Sequence, residues 1–461
     1  MKANMHNVTA KASEGYFLQI LFDALNGALI RYAVLRNYET LPYNAADSDL
    51  DILVHPEDEV KVRGVIAEAI MNAGGVAIGY ANTVGFFKIY SFGRGESDTS
   101  EWWGLRLDIS IGLRYAGVVH LVGNDIFQNR CCLHNGICVL PNQLAAVLGV
   151  VKELLHNNLL PSRYLTVAAD AAKENWNELR TDLAPMGESA LAVLRDLCLS
   201  NPDSPDIVAK SRVLRRTLLR AAFLRDPLAY LRLRFLHEWS KVRRLMDPPG
   251  VMMAILGTDG VGKSTIISAI KPILSAATHG AFIVKHLRPT LLPPLARLKG
   301  KQAEQDGPVA DPHGSNPSGK IGSMLRVIYL IADYVLGYWV VIRPKISKAP
   351  AIVLFDRYVY DMVLDPRRFR IGLPIGLLRW FTRFAPKPDI IICLHGTPQV
   401  IAARKQELPL EEVKRQTDAL LEFAKYEPRA VLVSTEGTIE QARNDLLNAL
   451  KIRITSKYVV S

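Results

Sequence analysis

The chain has 461 residues, of which 49% are hydrophobic and 22% are charged, a balance that excludes disordered and fibrous proteins. A single hydrophobic core stops growing at roughly 250–300 residues, so we expect two domains or more. The 56 Lys and Arg against 45 Asp and Glu give a net charge of +11. This charge favours anionic partners such as phosphorylated substrates, nucleic acid or an acidic membrane face.

The five cysteines form no CxxC pair and no even set, which argues against a disulfide framework or a zinc site. We therefore expect a reducing, cytoplasmic setting, and the polar N-terminus has no signal-peptide pattern. The longest apolar run, Val327–Ile342, carries Asp333 and is shorter than the roughly 20 residues of a spanning helix. It predicts a buried helix.

Residues 1–160 combine strand-like and helical patterns. Short apolar runs separated by Gly, Asn or Asp predict strands, and residues 57–71 predict a helix. The predicted strands are Tyr32–Leu35, Leu50–Val54, Phe86–Tyr90 and Leu105–Ser110. Together they indicate a mixed α/β domain.

Three carboxylates of this domain are candidates for a metal site. Asp49 and Asp51 are two residues apart, so on a strand they share a face, and Asp108 lies on a later predicted strand. Three convergent carboxylates can hold Mg²⁺ against a triphosphate. If they lie roughly 4–6 Å apart they repel one another, and a cation, protonation, Arg36 or Arg106 must relieve this repulsion.

Residues 161–249 predict a helical connector, because Leu, Ala and Arg recur there at three- and four-residue spacing. From Lys210 to Arg244 there are eleven Lys and Arg against two Asp and Glu, a local charge of +9. Two interpretations stay open: a solvated helix face, or a helix that contacts an anionic membrane or a phosphorylated polymer.

Residues 250–461 predict a second α/β domain with a parallel sheet, because its strands are apolar on both faces and alternate with helices. The predicted strands are Met252–Leu256, Phe282–Val284, Ile352–Phe355, Ile390–Leu394 and Val431–Val433. Between Leu298 and Ser323, Gly, Pro, Ser, Gln and Asp dominate, so this segment predicts a loop.

The first predicted strand of this domain runs into a glycine loop and then a helix, the order that a nucleoside triphosphate site requires. The glycines let backbone N–H groups surround a phosphate at the helix N-terminus. Lys263 then contacts phosphate oxygens and Ser264 can hold Mg²⁺. The predicted ATP-binding residues are Gly257, Gly260, Gly262, Lys263, Ser264 and Thr265.

An acid and a base, Asp356 and Arg357, follow the predicted strand at Ile352–Phe355. Doubly wound sheets bind ligands at this end of their strands. Asp356 can orient Mg²⁺ or its water, and Arg357 can hold the anion of an acceptor. The pair thus predicts the acceptor side of the site.

The segments Gly257–Thr265, Asp356–Tyr358, Pro388–Leu394 and Arg404–Arg415 together resemble thymidylate kinases, a branch of the P-loop nucleoside monophosphate kinases. The resemblance covers about Val251 to Ile454. It implies a parallel sheet with flanking helices, and ATP and Mg²⁺ as cofactors.

The resemblance also implies roles for single residues. Asp259 faces the acceptor, Asp356 and Arg357 serve magnesium and the acceptor phosphate, and the charged segment is a lid. The glycine loop has no arginine, so Arg404 or Arg415 would neutralise the transferred phosphoryl as the lid closes. The chain lacks the Ala-Tyr-Gln that helps to seat thymidylate in that family, so we expect thymidylate to be a poor acceptor.

Residues 31–110 resemble the nucleotidyltransferase superfold, which implies that Asp49, Asp51 and Asp108 bind metal. Active members usually carry a Gly-Ser pair where this chain has Leu35, Arg36 and Asn37. Either Arg36 substitutes as a phosphate ligand, or the domain has kept its shape and lost the transfer.

The leading hypothesis is an ATP- and Mg²⁺-dependent kinase whose acceptor is a nucleoside monophosphate, a sugar or a phosphorylated sugar. The architecture resembles proteins found beside bacterial surface-polysaccharide machinery, which suits a phosphorylated or sugar acceptor and a cytoplasmic enzyme with a membrane-facing helix. The alternative is a nucleotidyltransferase regulated by an ATP-binding kinase-like domain. A nucleic-acid-binding NTP switch is a third hypothesis, although we do not expect a nucleic-acid partner. The oligomeric state and the exact acceptor stay open.

Overall fold

The computed structural model describes residues 2–46, 48–95, 101–114, 126–129, 131–157, 162–201, 203–293, 319–405 and 408–457. The chain divides into two compact units, Met1–Arg243 (unit 1) and Arg244–Ser461 (unit 2). Both combine helices with a β-sheet, so the predicted α/β class is confirmed. The three-part division into residues 1–160, 161–249 and 250–461 stays a prediction.

Unit 1 is built on a mixed sheet. Its strands are β1 (Tyr32–Val34), β2 (Leu50–Val54), β3 (Gly75–Thr83), β4 (Phe86–Arg94), β5 (Trp102–Ile111), β6 (Cys132–His134) and β7 (Ile137–Val139). They lie in the order β3-β4-β5-β2-β1-β7-β6. β2 runs parallel to β5 and β1 runs parallel to β7, whereas the other neighbours are antiparallel.

All four strands predicted in this unit are present, and β4 and β5 are longer than predicted. Sequence reasoning missed β3, whose Gly, Ala and Asn residues have low strand propensity, and it missed β6 and β7, which have only three residues each. The helices are α1 (Lys2–Gly27), α2 (Glu59–Asn72), α3 (Ile126–Asn129), α4 (Asn142–Asn157), α5 (Ser162–Glu174), α6 (Trp176–Asp182), α7 (Glu188–Cys198), α8 (Asp206–Arg225) and α9 (Pro227–Met246). The described residues of the predicted connector form helices joined by short turns, with no strand among them, as expected.

The strand β2 is buried on both faces. Leu50 and Ile52 pack in one core with residues of α1 and α2, while Leu53 packs in a second core with residues of α4 and α5. Because side chains alternate along a strand, Asp51 shares the face of Leu53. The sheet therefore directs Asp51 towards the helical side of the unit.

Unit 2 is built on a parallel sheet. Its strands are β8 (Val251–Leu256), β9 (Phe282–His286), β10 (Ile352–Asp356), β11 (Ile390–His395) and β12 (Ala430–Ser434), so all five predicted strands are present. They lie in the order β12-β11-β8-β10-β9, all parallel. The strand order reverses at β8, and open α/β sheets bind ligands at this switch point, outside the carboxyl ends of the strands.

The helices of unit 2 cover this sheet. They are α10 (Lys263–Ala277), α11 (Lys320–Gly337), α12 (Arg343–Lys348), α13 (Asp361–Leu364), α14 (Ile375–Thr382), α15 (Pro398–Arg404), α16 (Leu410–Tyr426) and α17 (Ile439–Lys457). The loop predicted over 298–323 is wrong at its end, because α11 begins at Lys320. Residues 298–318 of that prediction lie outside the described residues.

One continuous helix runs from α11 through a π-helical segment, Tyr338–Ile342, into α12. The π turns come just before Pro344, which has no N–H to donate to the turn before it. This helix is long and apolar enough to cross a membrane by length and composition, although 39% of its apolar 18-residue window is buried within the protein. The prediction of a buried helix is correct only for the face that packs on the sheet; Trp339, for example, is exposed.

Candidate functional site

The glycine loop between β8 and α10 requires glycine at particular positions. Gly260 has φ +84°, and a Cβ there would lie 3.0 Å from the backbone oxygen of Ile401 and from Cβ of Lys405. Gly262, the residue before α10, has φ +100°. Glycine adopts such angles without the steric cost that other residues have. The loop is thus shaped by its backbone and leaves the N-terminus of α10 open.

Lys263, the first residue of α10, is buried beneath this loop. Its Nζ donates to the backbone oxygens of Gly257 and Thr258, both at 2.8 Å. Burial, together with the positive charge of Arg357, lowers the pKa of the Lys263 ammonium group to about 7. An anion beside it would reverse this shift, so the position suits a phosphate group.

Asp356 is the last residue of β10. This strand pairs with β8, which leads into the glycine loop. Oδ2 of Asp356 lies 3.4 Å from Nδ1 of His286, the neighbour of Asp356 in register on β9. Its Oδ1 is buried and has no hydrogen-bond partner among the described residues. Burial raises the pKa of Asp356, but the hydrogen bond to His286 and the charge of Lys263 outweigh it, so the pKa is lowered. A carboxylate with an open oxygen fits a magnesium ligand.

Arg357 connects this strand end to the glycine loop. Its guanidinium contacts Asp259, and its Nη1 lies 3.1 Å from Oδ1 of Asp361. Arg357 has φ +70°, a conformation that non-glycine residues rarely adopt and that clusters at functional sites. A second guanidinium, that of Arg368, also contacts Asp259. Asp259 therefore lies between two arginines.

The two arginines predicted in the lid lie in different surroundings. Arg404, the last residue of α15, donates to the backbone oxygen of Thr435 at 2.7 Å and lines the cavity described below. Arg415, on α16, pairs with Glu412 at 2.7 Å and donates to the backbone oxygen of Leu364 at 3.0 Å. Arg415 is not among the described residues that line the cavity.

A cavity of about 740 Å³ lies against the glycine loop in unit 2. The structure brings most of the predicted residues to its wall: Asp259, Gly260, Gly262, Lys263, Ser264, Thr265, Asp356, Arg357 and Arg404. Sequence reasoning missed His286 and gave no role to Asp361. The register of β9 with β10 could have indicated His286, because residues that end neighbouring strands lie side by side.

The three carboxylates of unit 1 converge, as predicted. One oxygen atom from each of Asp49, Asp51 and Asp108 lies within 4.8 Å of the others. Asp51 on β2 is the register partner of Asp108 on β5, which in turn is the register partner of Lys88 on β4. All three carboxylates are buried, so their charges require compensation.

Basic side chains provide this compensation. Arg36 contacts Asp49 and Asp51, and Arg106 contacts Asp49 and Asp108. Two lysines that sequence reasoning missed complete the set: Lys88 with Asp108 at 2.8 Å, and Lys152 of α4 with Asp51 at 2.5 Å. Burial raises the pKa of Asp51, but the charges of Lys152 and Arg36 outweigh it and lower the pKa.

The predicted basic connector exposes large apolar side chains. On α9, Leu228, Phe235 and Trp239 are 81%, 66% and 52% exposed. They lie seven and four residues apart, so they share one face of the helix. Cationic side chains such as Arg232 and Arg234 lie between them in the sequence.

Several thymidylate kinases are similar to part of the chain. That of Xanthomonas campestris pv. campestris (strain B100) is 30% identical over 159 residues, which is 34% of this chain and 62% of that protein. That of Xylella fastidiosa (strain M12) is 28% identical over 153 residues, 33% of this chain and 62% of that protein. The chain thus spans about 62% of the length of these relatives. The predicted resemblance to thymidylate kinases is confirmed over about a third of the chain.

No protein-family model matches the chain. The crystal structure of a thymidylate kinase from Ehrlichia chaffeensis aligns over 100% of its own length with 44% of this chain, at 17% identity and a TM-score of 0.32. The resemblance of residues 31–110 to the nucleotidyltransferase superfold stays a prediction.

Proposed function

We propose that the protein is an ATP- and Mg²⁺-dependent phosphotransferase, a kinase similar to thymidylate kinase. The observation that carries the proposal is Lys263. Its buried ammonium group donates only to backbone carbonyls of its own loop among the described residues, and its pKa is lowered to about 7. Such a group has a strong preference for an anion, and the open N-terminus of α10 favours the same charge.

The donor side of the cavity suits a nucleoside triphosphate. The backbone N–H groups of the glycine loop and Lys263 would hold the phosphates, while Ser264 and Asp356 would hold Mg²⁺ or its water. Magnesium, when bound, neutralises charge on the transferred group. Arg404 lines the same cavity and is the candidate for the cation that stabilises the transferred phosphoryl group in the transition state.

The acceptor side favours an acceptor that itself carries a phosphate group. Arg357 and Arg368 both line the cavity, and both guanidinium groups converge on Asp259. Paired guanidiniums match the geometry of phosphate oxygens. Among the acceptors that the sequence left open, this favours a nucleoside monophosphate or a phosphorylated sugar over a neutral sugar. A role in surface-polysaccharide synthesis stays a prediction.

The test is ATP consumption by the full chain with Mg²⁺, screened against nucleoside monophosphates and sugar phosphates. Lys263→Ala should reduce turnover by about 1000-fold or more, because it removes the charge that contacts the transferred phosphate. Lys271→Ala, which removes an exposed lysine from the same helix, should leave turnover unchanged. Equal turnover in the two variants would contradict the proposal.

The basic connector carries a second, separate proposal, namely peripheral contact with an anionic membrane face. The exposed apolar residues of α9 and the local charge of +9 support it, because anionic surfaces attract helices with this pattern. Sedimentation with anionic but not with neutral vesicles tests it. The cytoplasmic setting, and the expectation that nucleic acid is not a partner, stay predictions.

A further inference from the structure

The charges around the carboxylates of unit 1 alternate in sign along a chain of contacts. In order, its members are Lys152, Asp51, Arg36, Asp49, Arg106, Asp108 and Lys88. The chain begins and ends on a lysine, so four positive charges meet three negative ones. The cluster therefore has a net charge of +1 without any bound ion.

Each oxygen of Asp51 and Asp49 already has its own basic partner. Oδ1 of Asp51 lies 2.5 Å from Nζ of Lys152, and its Oδ2 contacts Arg36. Oδ1 of Asp49 lies 3.3 Å from Nη2 of Arg36, and its Oδ2 contacts Arg106. These two carboxylates thus have no oxygen left without a cation beside it.

The same holds for Asp108. Its Oδ1 lies 2.9 Å from Nε of Arg106, and its Oδ2 lies 2.8 Å from Nζ of Lys88. Each of the six carboxylate oxygens of the cluster therefore has a cationic nitrogen within 3.3 Å. The contact between Nε of Arg106 and Oδ1 of Asp108 is an ion pair without hydrogen-bond geometry, and neither atom has a hydrogen-bond partner among the described residues. Asp356 in unit 2 differs because its buried Oδ1 has neither a hydrogen bond nor an ion pair among the described residues.

These residues do not fit a divalent metal. Mg²⁺ binds oxygen ligands at about 2.0–2.1 Å in near-octahedral geometry, so it would have to displace the cations that occupy those positions. If all four cations stayed, the charge of the cluster would rise from +1 to +3 around three buried carboxylates, where uncompensated charge is costly.

We infer that Asp49, Asp51 and Asp108 form a structural ion-pair cluster and do not constitute a metal site. The cluster joins β2, β4, β5 and the residue Arg36 after β1 to helix α4. Metal-dependent nucleotidyl transfer at these carboxylates is then not an activity of this chain, which removes the alternative function. The inference does not depend on the proposed kinase activity of unit 2.

The test is a titration of the full chain with Mn²⁺ in the absence of nucleotide. The electron paramagnetic resonance signal of free Mn²⁺ measures how much of the metal is bound. The Asp356→Asn variant is used so that the carboxylate proposed to hold Mg²⁺ in unit 2 is absent. We expect no bound Mn²⁺ below about 1 mM. Even weak carboxylate sites for divalent cations, such as the calcium sites of extracellular modules, have dissociation constants of about 0.1–1 mM. One Mn²⁺ per chain that disappears when Asp51→Asn is added would overturn the inference.

A second arm asks whether the cations occupy the metal's place. Arg106→Gln releases one oxygen of Asp49 and one of Asp108 and brings the cluster charge to zero. We expect this variant to gain Mn²⁺ binding, and a Tm that rises with Mg²⁺, whereas Arg106→Lys, which retains the charge, gains neither. Mn²⁺ binding by the wild type as tight as that by Arg106→Gln would contradict the inference. The wild-type measurement remains decisive if the variant fails to fold.

Discussion

The two units treat buried charge in opposite ways. In unit 1, three buried carboxylates contact four cations, and each of their oxygens has a cationic nitrogen within 3.3 Å. In unit 2, Lys263 is buried with only backbone carbonyls as acceptors, and Asp356 keeps one buried oxygen without a partner among the described residues. Paired charge stabilises a fold, whereas unpaired buried charge costs free energy unless a ligand compensates it.

This difference explains why the three carboxylates of unit 1 and the glycine loop of unit 2 have different interpretations, although both patterns suggest a ligand site in the sequence. Asp49 and Asp51 on a strand, with Asp108 beside them, have the arrangement of a metal site, but the surrounding cations already satisfy it. The glycine loop has the arrangement of a phosphate site, and its surroundings leave it incomplete. Perturbed and incompletely compensated groups in a cavity are the ones that point to function.

The largest expected effect is on stability, and it has opposite signs in the two units. Asp51→Asn leaves the half-buried Lys152 and Arg36 without their shared carboxylate, and we expect the free energy of unfolding to fall by about 1–3 kcal/mol. Lys263→Met removes a buried cation that has no carboxylate partner, and we expect an equal or higher free energy of unfolding. Urea denaturation of both variants measures the two effects.

Two control variants make this comparison specific. Asp196→Asn removes a carboxylate of unit 1 that is 62% exposed and pairs with Lys210, and exposed pairs contribute only about 0–1 kcal/mol. Lys271→Met is the exposed counterpart of Lys263→Met on α10. If Asp51→Asn costs no more than Asp196→Asn, the contrast between the units is wrong.

A smaller effect concerns Asp259, which also lies between two arginines, as the carboxylates of unit 1 do. The two clusters border different cavities: Asp259, Arg357 and Arg368 line the cavity at the glycine loop, whereas Arg36, Asp51 and Lys152 line a cavity of about 580 Å³ in unit 1 whose described walls include no glycine loop. We expect Arg368→Gln to raise KM for a phosphorylated acceptor roughly 10- to 100-fold, the equivalent of one charge-assisted hydrogen bond. Slow hydrolysis of ATP without acceptor should not change. Initial rates against a panel of nucleoside monophosphates and hexose phosphates measure both.

The control for this variant is Arg370→Gln, which removes an exposed arginine two residues away. A KM that is unchanged in Arg368→Gln, together with a loss of stability, would mean that the Asp259 cluster is structural like that of unit 1. An unchanged KM combined with loss of ATP hydrolysis would instead point to an effect on the donor side.

The sequence predicted the strands of both sheets better than the surroundings of the sites. The apolar strands β8 to β12 and the loop after β8 could be predicted, because periodicity and glycine spacing are local signals. The convergence of Asp51 with Asp108 followed from strand alternation and the superfold resemblance. These are features that one segment, or two segments of known register, can specify.

The partners of these residues could not be predicted in the same way. Lys152 lies 101 residues after Asp51 on a helix of the second core, and no local pattern links the two. Arg357 and Arg415 looked alike in the sequence as candidate site cations, but Arg357 lines the cavity and contacts Asp259, 98 residues earlier in the chain. Arg415 pairs with Glu412 on its own helix, and only this second pairing has a spacing that the sequence could have indicated. Which charges are compensated is decided by tertiary packing, and that decides which motif is open to a ligand.

The smallest expected effect is a pH dependence that the contrast between the units assigns to Lys263. Its pKa is lowered to about 7 by burial and by Arg357, so most chains carry a neutral Lys263 above that pH. Phosphate binding favours the ammonium form, so ATP must bind together with a proton, and its affinity must fall as the pH rises. From pH 7.5 to 9, where ATP itself is already ionised, we expect a loss of affinity on the order of tenfold.

Lys263→Arg keeps its charge throughout this range, so its affinity for ATP should not change with pH. Calorimetric titration in buffers of different ionisation enthalpy measures the proton uptake in the wild type directly. Affinity that does not change with pH, without proton uptake, would show that Lys263 is already compensated and that the two units do not differ as described.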